Sequence, residues 1–326
     1  MAEPQTKKQE KQAAARKAGE PPPKFITLLP RDLNIDFVGK RKFFLVLSTL
    51  LNIAAIALFL TRGFNYGVDF TGGTAVRIRF AQPTNAAEVR SDLSDLNLRD
   101  LTVQDFGEQG KEFLLRFEVS EGAEMNSIPD TLKKLFNDKK PSGGFEILSL
   151  ESVGPKVAGD LWWKGFWAVA LATSFMGIYI AFRFEGSFGI GAVIALIHDV
   201  LISAGALIIA QYSFDLTTLA ALLTVVGFSV HDTIIISDRI RETLRRNPKR
   251  DLESVMNQSI NETLSRTLLT TGTALFVLIA LYFLGGEGLA PFAFTLIIGF
   301  ITGTYSTIYI AAPVVLFWAD RSKLAG

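Results

Sequence analysis

Apolar residues gather into six runs near the length of a bilayer crossing, roughly 17–25 residues. They are Phe43–Leu60, Phe166–Phe182, Phe188–Ala210, Leu216–Ser237, Leu268–Leu284 and about Leu289–Trp318. Short polar pieces separate the last five. Six such runs are more than the core of a soluble domain this small can bury, and they predict a polytopic α-helical membrane protein. Between the first and second runs lies a polar stretch, Thr61–Asp160, long enough to be a domain.

The periodicity of that stretch alternates between strand and helix. Ala75–Phe80 places Val76, Ile78 and Phe80 on one face and Arg77 and Arg79 on the other, the pattern of a half-buried strand. Thr84–Leu98 carries helical spacing, with Thr84 a candidate N-cap. Leu101–Phe106 and Glu112–Val119 read as strands joined at Gly107–Gly110. Met125–Phe136 reads as a helix that contains Pro129, and Phe145–Val153 returns to strand. The order β-α-β-β-α-β is the ferredoxin-like split βαβ pattern. The predicted fold is therefore six transmembrane helices plus one α+β external domain between helices 1 and 2.

Composition sharpens this picture. Of 326 residues, 49 % are hydrophobic and 20 % charged, and 33 Lys and Arg balance 32 Asp and Glu to a net charge of +1. Such a balance gives no case for a nucleic-acid partner, which calls for a basic excess. With no cysteine and two histidines, there is little material for thiolate metal sites or a Ser-His-Asp triad. The charges are segregated. Basic residues lie before Phe43 (ending in Lys40-Arg41-Lys42), at Arg183, from Arg239 to Arg266, and at Arg321 and Lys323, whereas 211–215 and 285–288 have none. By the positive-inside rule both termini are expected in the cytoplasm and the 61–160 domain on the opposite side. Residues 1–40 are expected to form a disordered cytoplasmic tail, 41–60 an uncleaved first span, and 161–320 the other five. A basic cytoplasmic loop is expected at about 238–266, with Asp238, Arg239, Arg241 and Glu242 on a solvated amphipathic extension of the fourth span.

Ionisable side chains inside the runs are the candidate chemistry, because a charge at membrane depth costs about 2.5–3.5 kcal/mol on insertion scales. His198-Asp199 lies in the third run and His231-Asp232 in the fourth. Adjacent helix residues do not face each other, so each is expected to find its partner on another helix. Arg266, at the mouth of the fifth run, is the candidate cation for Asp232. Asp215 is expected to cap the fourth helix. Gly299 and Gly303 form a GxxxG pair suited to close helix packing. The external domain shows no catalytic constellation, and Asp69 has no evident partner. A phosphate loop at Tyr66–Thr74 is disfavoured, because no Lys follows the glycines and a strand comes next.

Three stretches carry a resemblance. They are Tyr66-Gly67-Val68-Asp69-Phe70-Thr71-Gly72-Gly73-Thr74, Gly227-Phe-Ser-Val-His231-Asp232-Thr-Ile-Ile-Ile-Ser-Asp238-Arg239-Ile-Arg241-Glu242, and Leu264-Ser-Arg266-Thr-Leu-Leu-Thr-Thr271-Gly272, with Val153-Gly154-Pro155 before the second span. Together they resemble the SecF-type members of the SecD/SecF family, within the resistance-nodulation-division superfamily. The resemblance implies a family motif at Gly67, Asp69, Phe70, Gly72 and Gly73, and proton passage involving Asp232 and Arg266. It also implies an accessory, non-enzymatic subunit of the Sec translocase in the bacterial cytoplasmic (inner) membrane. Its partners would be a SecD-type subunit, the translocase channel, the translocating preprotein and the lipid bilayer. Its only coupling species would be the proton, with no cofactor. One departure is His231, where the motif more usually has Asn. Two other readings stay open here: a proton-coupled small-molecule exporter of the same superfamily, and a non-transporting scaffold.

Overall fold

A computed structural model describes residues 34–96, 98–108, 110–118, 128–139, 144–286 and 288–318. The described chain runs through α1 (Arg41–Thr61), a two-residue strand β1 (Asn65–Tyr66), a single turn α2 (Val68–Thr71) and β2 (Gly73–Phe80). Then come α3 (Ala86–Leu93), β3 (Arg99–Asp105), β4 (Glu112–Glu118), α4 (Ile128–Lys139) and β5 (Phe145–Val153). The remainder is α5 (Pro155–Arg183), α6 (Gly186–Ala210), β6 (Ser213–Phe214), α7 (Leu216–Arg246), α8 (Leu252–Leu284), α9 (Ala290–Ser306), a π-helical turn at Thr307–Ala311 and α10 (Ala312–Trp318). With α9, the π turn and α10 taken as one span, six helices are long and apolar enough to cross a membrane.

The domain between α1 and α5 is a four-stranded sheet of order β3-β4-β2-β5, antiparallel at every pairing. Its core lies on one face, where Val76, Ile78, Phe80, Phe113, Leu115 and Phe117 meet Val89 and Leu93 of α3 and Leu132 and Phe136 of α4. The alternation read in β2 is the reason that face is apolar. Thr84 is not the N-cap of α3. Asn85 has the extended backbone a cap requires and accepts the Glu88 N–H at 2.8 Å, while the Thr84 hydroxyl donates to the Glu88 carboxylate at 2.7 Å. Pro129 sits in the first turn of α4, where its missing N–H has no partner to lose. Val119 and residues 125–127 of the expected elements lie outside the described residues.

The bundle sorts into an inner and an outer set. α6, α7 and the last span bury half or more of their apolar windows, whereas α1, α5 and α8 are mostly exposed. Small residues let the inner helices approach. A Cβ at Gly303 would lie 3.1 Å from Ser229 Cβ, and one at Gly299 would lie 2.0 Å from Val225 Cγ2, so both glycines face α7. A Cβ at Gly191 of α6 would lie 2.8 Å from the carbonyl oxygen of Ala311, in the π turn.

On the side away from the sheet domain, 238–266 is not a loop. Both flanking helices continue beyond membrane depth, and only 247–251 joins them. Buried Ile240 and Leu244, together with Val255, Met256 and Ile260, give each extension an apolar face. Arg239 bonds Glu262 and Glu242, and Arg246 bonds Glu242. The expected tail is also shorter at its end. The Ile35 N–H donates to Asn261 Oδ1 (2.9 Å), the Phe37 N–H donates to Asn257 Oδ1 (2.8 Å), and both Asn amides donate to the Ile35 carbonyl. Residues 1–33 lie outside the described residues.

The fit of Gly191 predicts the outcome of adding a methyl group. Gly191→Ala must push α6 away from backbone at the π turn, a cost of about 1–3 kcal/mol, so its thermal unfolding midpoint in detergent is expected to fall. Gly159→Ala, in the first turns of α5 with nothing within 4 Å of the new Cβ, is expected to hold or slightly raise it, because Ala is the better helix former.

Candidate functional site

Asp199 is fully buried, on the inner face of α6. Its Oδ2 accepts the hydroxyls of Ser229 on α7 (2.6 Å) and Ser306 at the end of α9 (2.8 Å). Its Oδ1 lies 3.0 Å from Nδ1 of His198, within hydrogen-bond distance. Neighbouring residues were expected to look apart, and they meet. Successive side chains on a helix diverge by about 100°, not 180°, and α6 is enclosed on several sides, so both can point inward. The His198 ring lies 5.9 Å from that of Tyr305. The Tyr305 hydroxyl in turn bonds Ser48 of α1 (2.7 Å) and donates to the Phe44 carbonyl (3.1 Å). One buried polar cluster thus touches α1, α6, α7 and α9, immediately before the π turn. Sequence reading missed Ser48, Ser229, Tyr305 and Ser306, because hydroxyls are common in spans and nothing local marks which ones converge.

Asp232 lies one turn after Ser229 on α7 and is also fully buried. Its situation is the opposite, since neither carboxylate oxygen has a hydrogen-bond partner in the geometry. The Thr304 hydroxyl lies beside it and is engaged with Thr271 of α8 at 2.9 Å. Buried Thr267 Oγ1 also lacks a partner. Arg266 does not form the expected ion pair with Asp232. α8 turns Thr263, Thr267 and Thr271, four residues apart, inward, which leaves Arg266 exposed on the outer shoulder. Its charge acts on Asp232 at a distance. His231 is exposed too, on a stripe of α7 with Ala220, Thr224 and Gly227. A Cβ at Gly227 meets nothing within 4 Å.

The contrast between the two carboxylates sets what each can do. A change at Asp199 disturbs the two serine hydrogen bonds that join α6 to α7 and α9. At Asp232 only the Thr304 hydroxyl stands close enough to answer a proton's arrival or loss, and α7, α8 and α9 would then meet a changed charge between them.

At the sheet-domain side, the glycine-rich segment is a junction. β1 pairs in parallel with β6, and the Gly67 N–H donates to the Phe214 carbonyl at 2.7 Å. Phe70 stacks on Phe214, with centroids 5.2 Å apart. Asp69 does have a partner, the Leu216 N–H, at 2.9 Å. Gly72 and Gly73 take φ of 76° and 99°, a region that penalises other residues. Side chains there would also meet Pro155 Cα at 3.2 Å and the Phe117 carbonyl at 3.0 Å. Asp215 caps α7 through the Thr218 N–H at 2.9 Å.

The family described as protein export membrane protein SecD/SecF, C-terminal, matches residues 131–321, and the SecD/SecF GG motif matches 57–84. The chain belongs to the SecD/SecF family. The protein translocase subunit SecF of Calditerrivibrio nitroreducens is 40 % identical over 293 residues, covering 89 % of this chain and 96 % of that one. That of Desulfurispirillum indicum is 43 % identical over 296 residues, covering 88 % and 92 %. The crystal structure of SecDF, a translocon-associated membrane protein from Thermus thermophilus, superposes with a TM-score of 0.81 at 32 % identity. It covers 94 % of this chain, which spans 41 % of that longer one. A SecDF structure in a super-membrane-facing form scores 0.62 at 31 % identity. At near-equal identity, this SecD/SecF-family chain superposes better on the first of these structures than on the second.

Asp215, just outside α7, supplies a pH test. Burial pushes its carboxyl above the ordinary range, the Thr218 amide pulls it back, and the charge of Asp69 pushes it further up. A raised native value means the folded state holds this proton more tightly than the unfolded one. The associated stability is complete below the ordinary value of 3.8 and is lost as pH rises through the raised one. Asp215→Asn keeps an acceptor for Thr218 and removes the titration. The unfolding midpoint of the wild type, followed in detergent against pH, is expected to decline relative to that of the variant over this rise; parallel profiles would contradict the assignment.

Proposed function

We propose that this chain is an accessory subunit of the Sec protein translocase that uses the proton-motive force, together with a SecD-type partner, to assist protein export across the bacterial inner membrane. The observation that carries the reading is Asp232, a buried carboxylate with no hydrogen bond, set where α7, α8 and α9 meet. Each proton moved down about 100 mV yields roughly 2.3 kcal/mol, enough to shift a two-state packing more than tenfold. The coupling ion is the proton, and no covalent turnover is involved. The segregation of Lys and Arg supports cytoplasmic termini, which puts the sheet domain on the periplasmic side, where an emerging preprotein would meet it.

Support for a SecD-type partner comes from the outer face of α7 and α8. His231 and Arg266 are exposed at or near membrane depth, and the cost of a polar group in hydrocarbon favours a protein cover over lipid. The stripe Ala220, Thr224, Gly227, His231 has the small residues that let a second helix approach. The longer SecDF chain, of which this one spans 41 %, has room for such a half. The translocase channel is the further partner of this assembly.

The experiment is gradient-driven export into membrane vesicles containing the assembled subunits. Asp232→Asn, close in volume and unable to exchange the proton, is expected to abolish the gradient-dependent part of export and leave assembly intact. Full stimulation in that variant would remove Asp232 from the mechanism and favour a scaffold. Gly227→Leu is expected to leave the isolated chain folded, because nothing lies within 4 Å of the new Cβ, and to weaken co-purification of a SecD-type chain.

A further inference from the structure

Four contacts converge on the segment that leaves α1, and together they join the membrane helix carrying Asp232 to the sheet domain. The first turn of an α-helix leaves four N–H groups without helical partners. In α7, Asp215 takes the Thr218 N–H, but the Leu216 N–H is taken by Oδ2 of Asp69, from 147 residues earlier in the chain. Beside it, the parallel pairing of Asn65 with Ser213 and of Tyr66 with Phe214 fixes the same segment to the strand that leads into α7. From the other side, Arg116 of β4 donates through one Nη to Asn65 Oδ1 (2.9 Å) and to the Tyr66 carbonyl (3.0 Å). Burial lowers the pKa of this guanidinium, and the nearby charge of Asp215 offsets the shift. Finally, the backbone of Gly72-Gly73 lies too close to Phe117 and Pro155 for any side chain, which seats the segment against β4 and the start of α5.

We propose that Asp69 is a positioning residue that couples α7 to the sheet domain: by accepting the Leu216 N–H it clamps the segment leaving α1 onto the first turn of the helix that carries Asp232. Sixteen residues separate Leu216 from Asp232, about 24 Å of continuous helix. A rod of that length carries a tilt or shift at Asp232 to its end. The clamp delivers it to Asn65–Gly73, and Arg116 and the glycine pair deliver it to β4 and β2. Without the clamp, only the short β1–β6 pairing would tie the segment to the start of α7, and the motion would reach the domain weakened.

The energetic half of this idea rests on the proton-coupled reading above, so the test has one arm that depends on that reading and one that does not. In vesicles holding the assembled complex, Asp69→Ala is expected to keep proton flux within about twofold while gradient-stimulated export falls about tenfold, on the scale of losing a helix cap. Asp69→Asn, still an acceptor for Leu216, is expected to restore export. A parallel fall in flux and export would overturn the proposal, because Asp69 would then act on the proton path. The second arm places spin labels at exposed positions, Lys133→Cys on α4 and Leu284→Cys at the end of α8, in a chain with no native cysteine. The distance distribution is expected to be narrow with Asp69 or Asn and broad with Ala; equal widths would overturn the clamp whether or not protons drive export.

Discussion

Hydrocarbon offers no hydrogen bonds, and that constraint organises the whole molecule. Every polar atom placed among these helices must be satisfied by another side chain, by its own backbone, or by a partner chain. Most are. Serine and threonine hydroxyls along the spans return to the carbonyl three or four residues earlier, as Thr263, Thr295 and Thr302 do. Asp199 is held by two serines and its neighbouring histidine. Against that background a carboxylate with nothing bonded to it stands apart, and Asp232 is such a group. The same rule explains why the outer stripe with His231 reads as a covered face.

The two buried carboxylates divide the work between them. Asp199 joins α6, α7 and α9 at the point where the last span passes into its π turn. Such turns leave the local helix register irregular and recur at functional sites. Gly191 makes room for that turn from α6. Asp232, on α7 one helical turn after Ser229, sits at the contact of α7 with α8 and α9. In the proposed mechanism, the fixed polar anchor at Asp199 would hold the bundle together while a change of charge at Asp232 shifts its helices.

Much of the architecture was legible because it is periodic. Six apolar runs became six spans, and the alternation at Val76, Ile78 and Phe80 became the buried face of a four-stranded sheet. Asp232 was legible as a charge in the wrong solvent. What could not be read were contacts set by the phase and closeness of distant elements. Arg266 faces outward because three threonines of α8 take the inner face. His198 meets Asp199 because α6 is enclosed. The bond of Asp69 spans 147 residues, so no local pattern could announce it. The supposed basic loop read as polar because of its ion-paired surface, while its buried leucine and isoleucine positions were helical all along.

Proton movement through Asp232 is the central claim, and it can be measured without export. Proteoliposomes holding this chain with its SecD-type partner, given an inward proton gradient and an internal pH-sensitive dye, report the flux directly. The account predicts acidification that depends on the Asp232 carboxyl, is lost in Asp232→Asn and persists in Asp69→Ala. Acidification at the same rate in Asp232→Asn would contradict it.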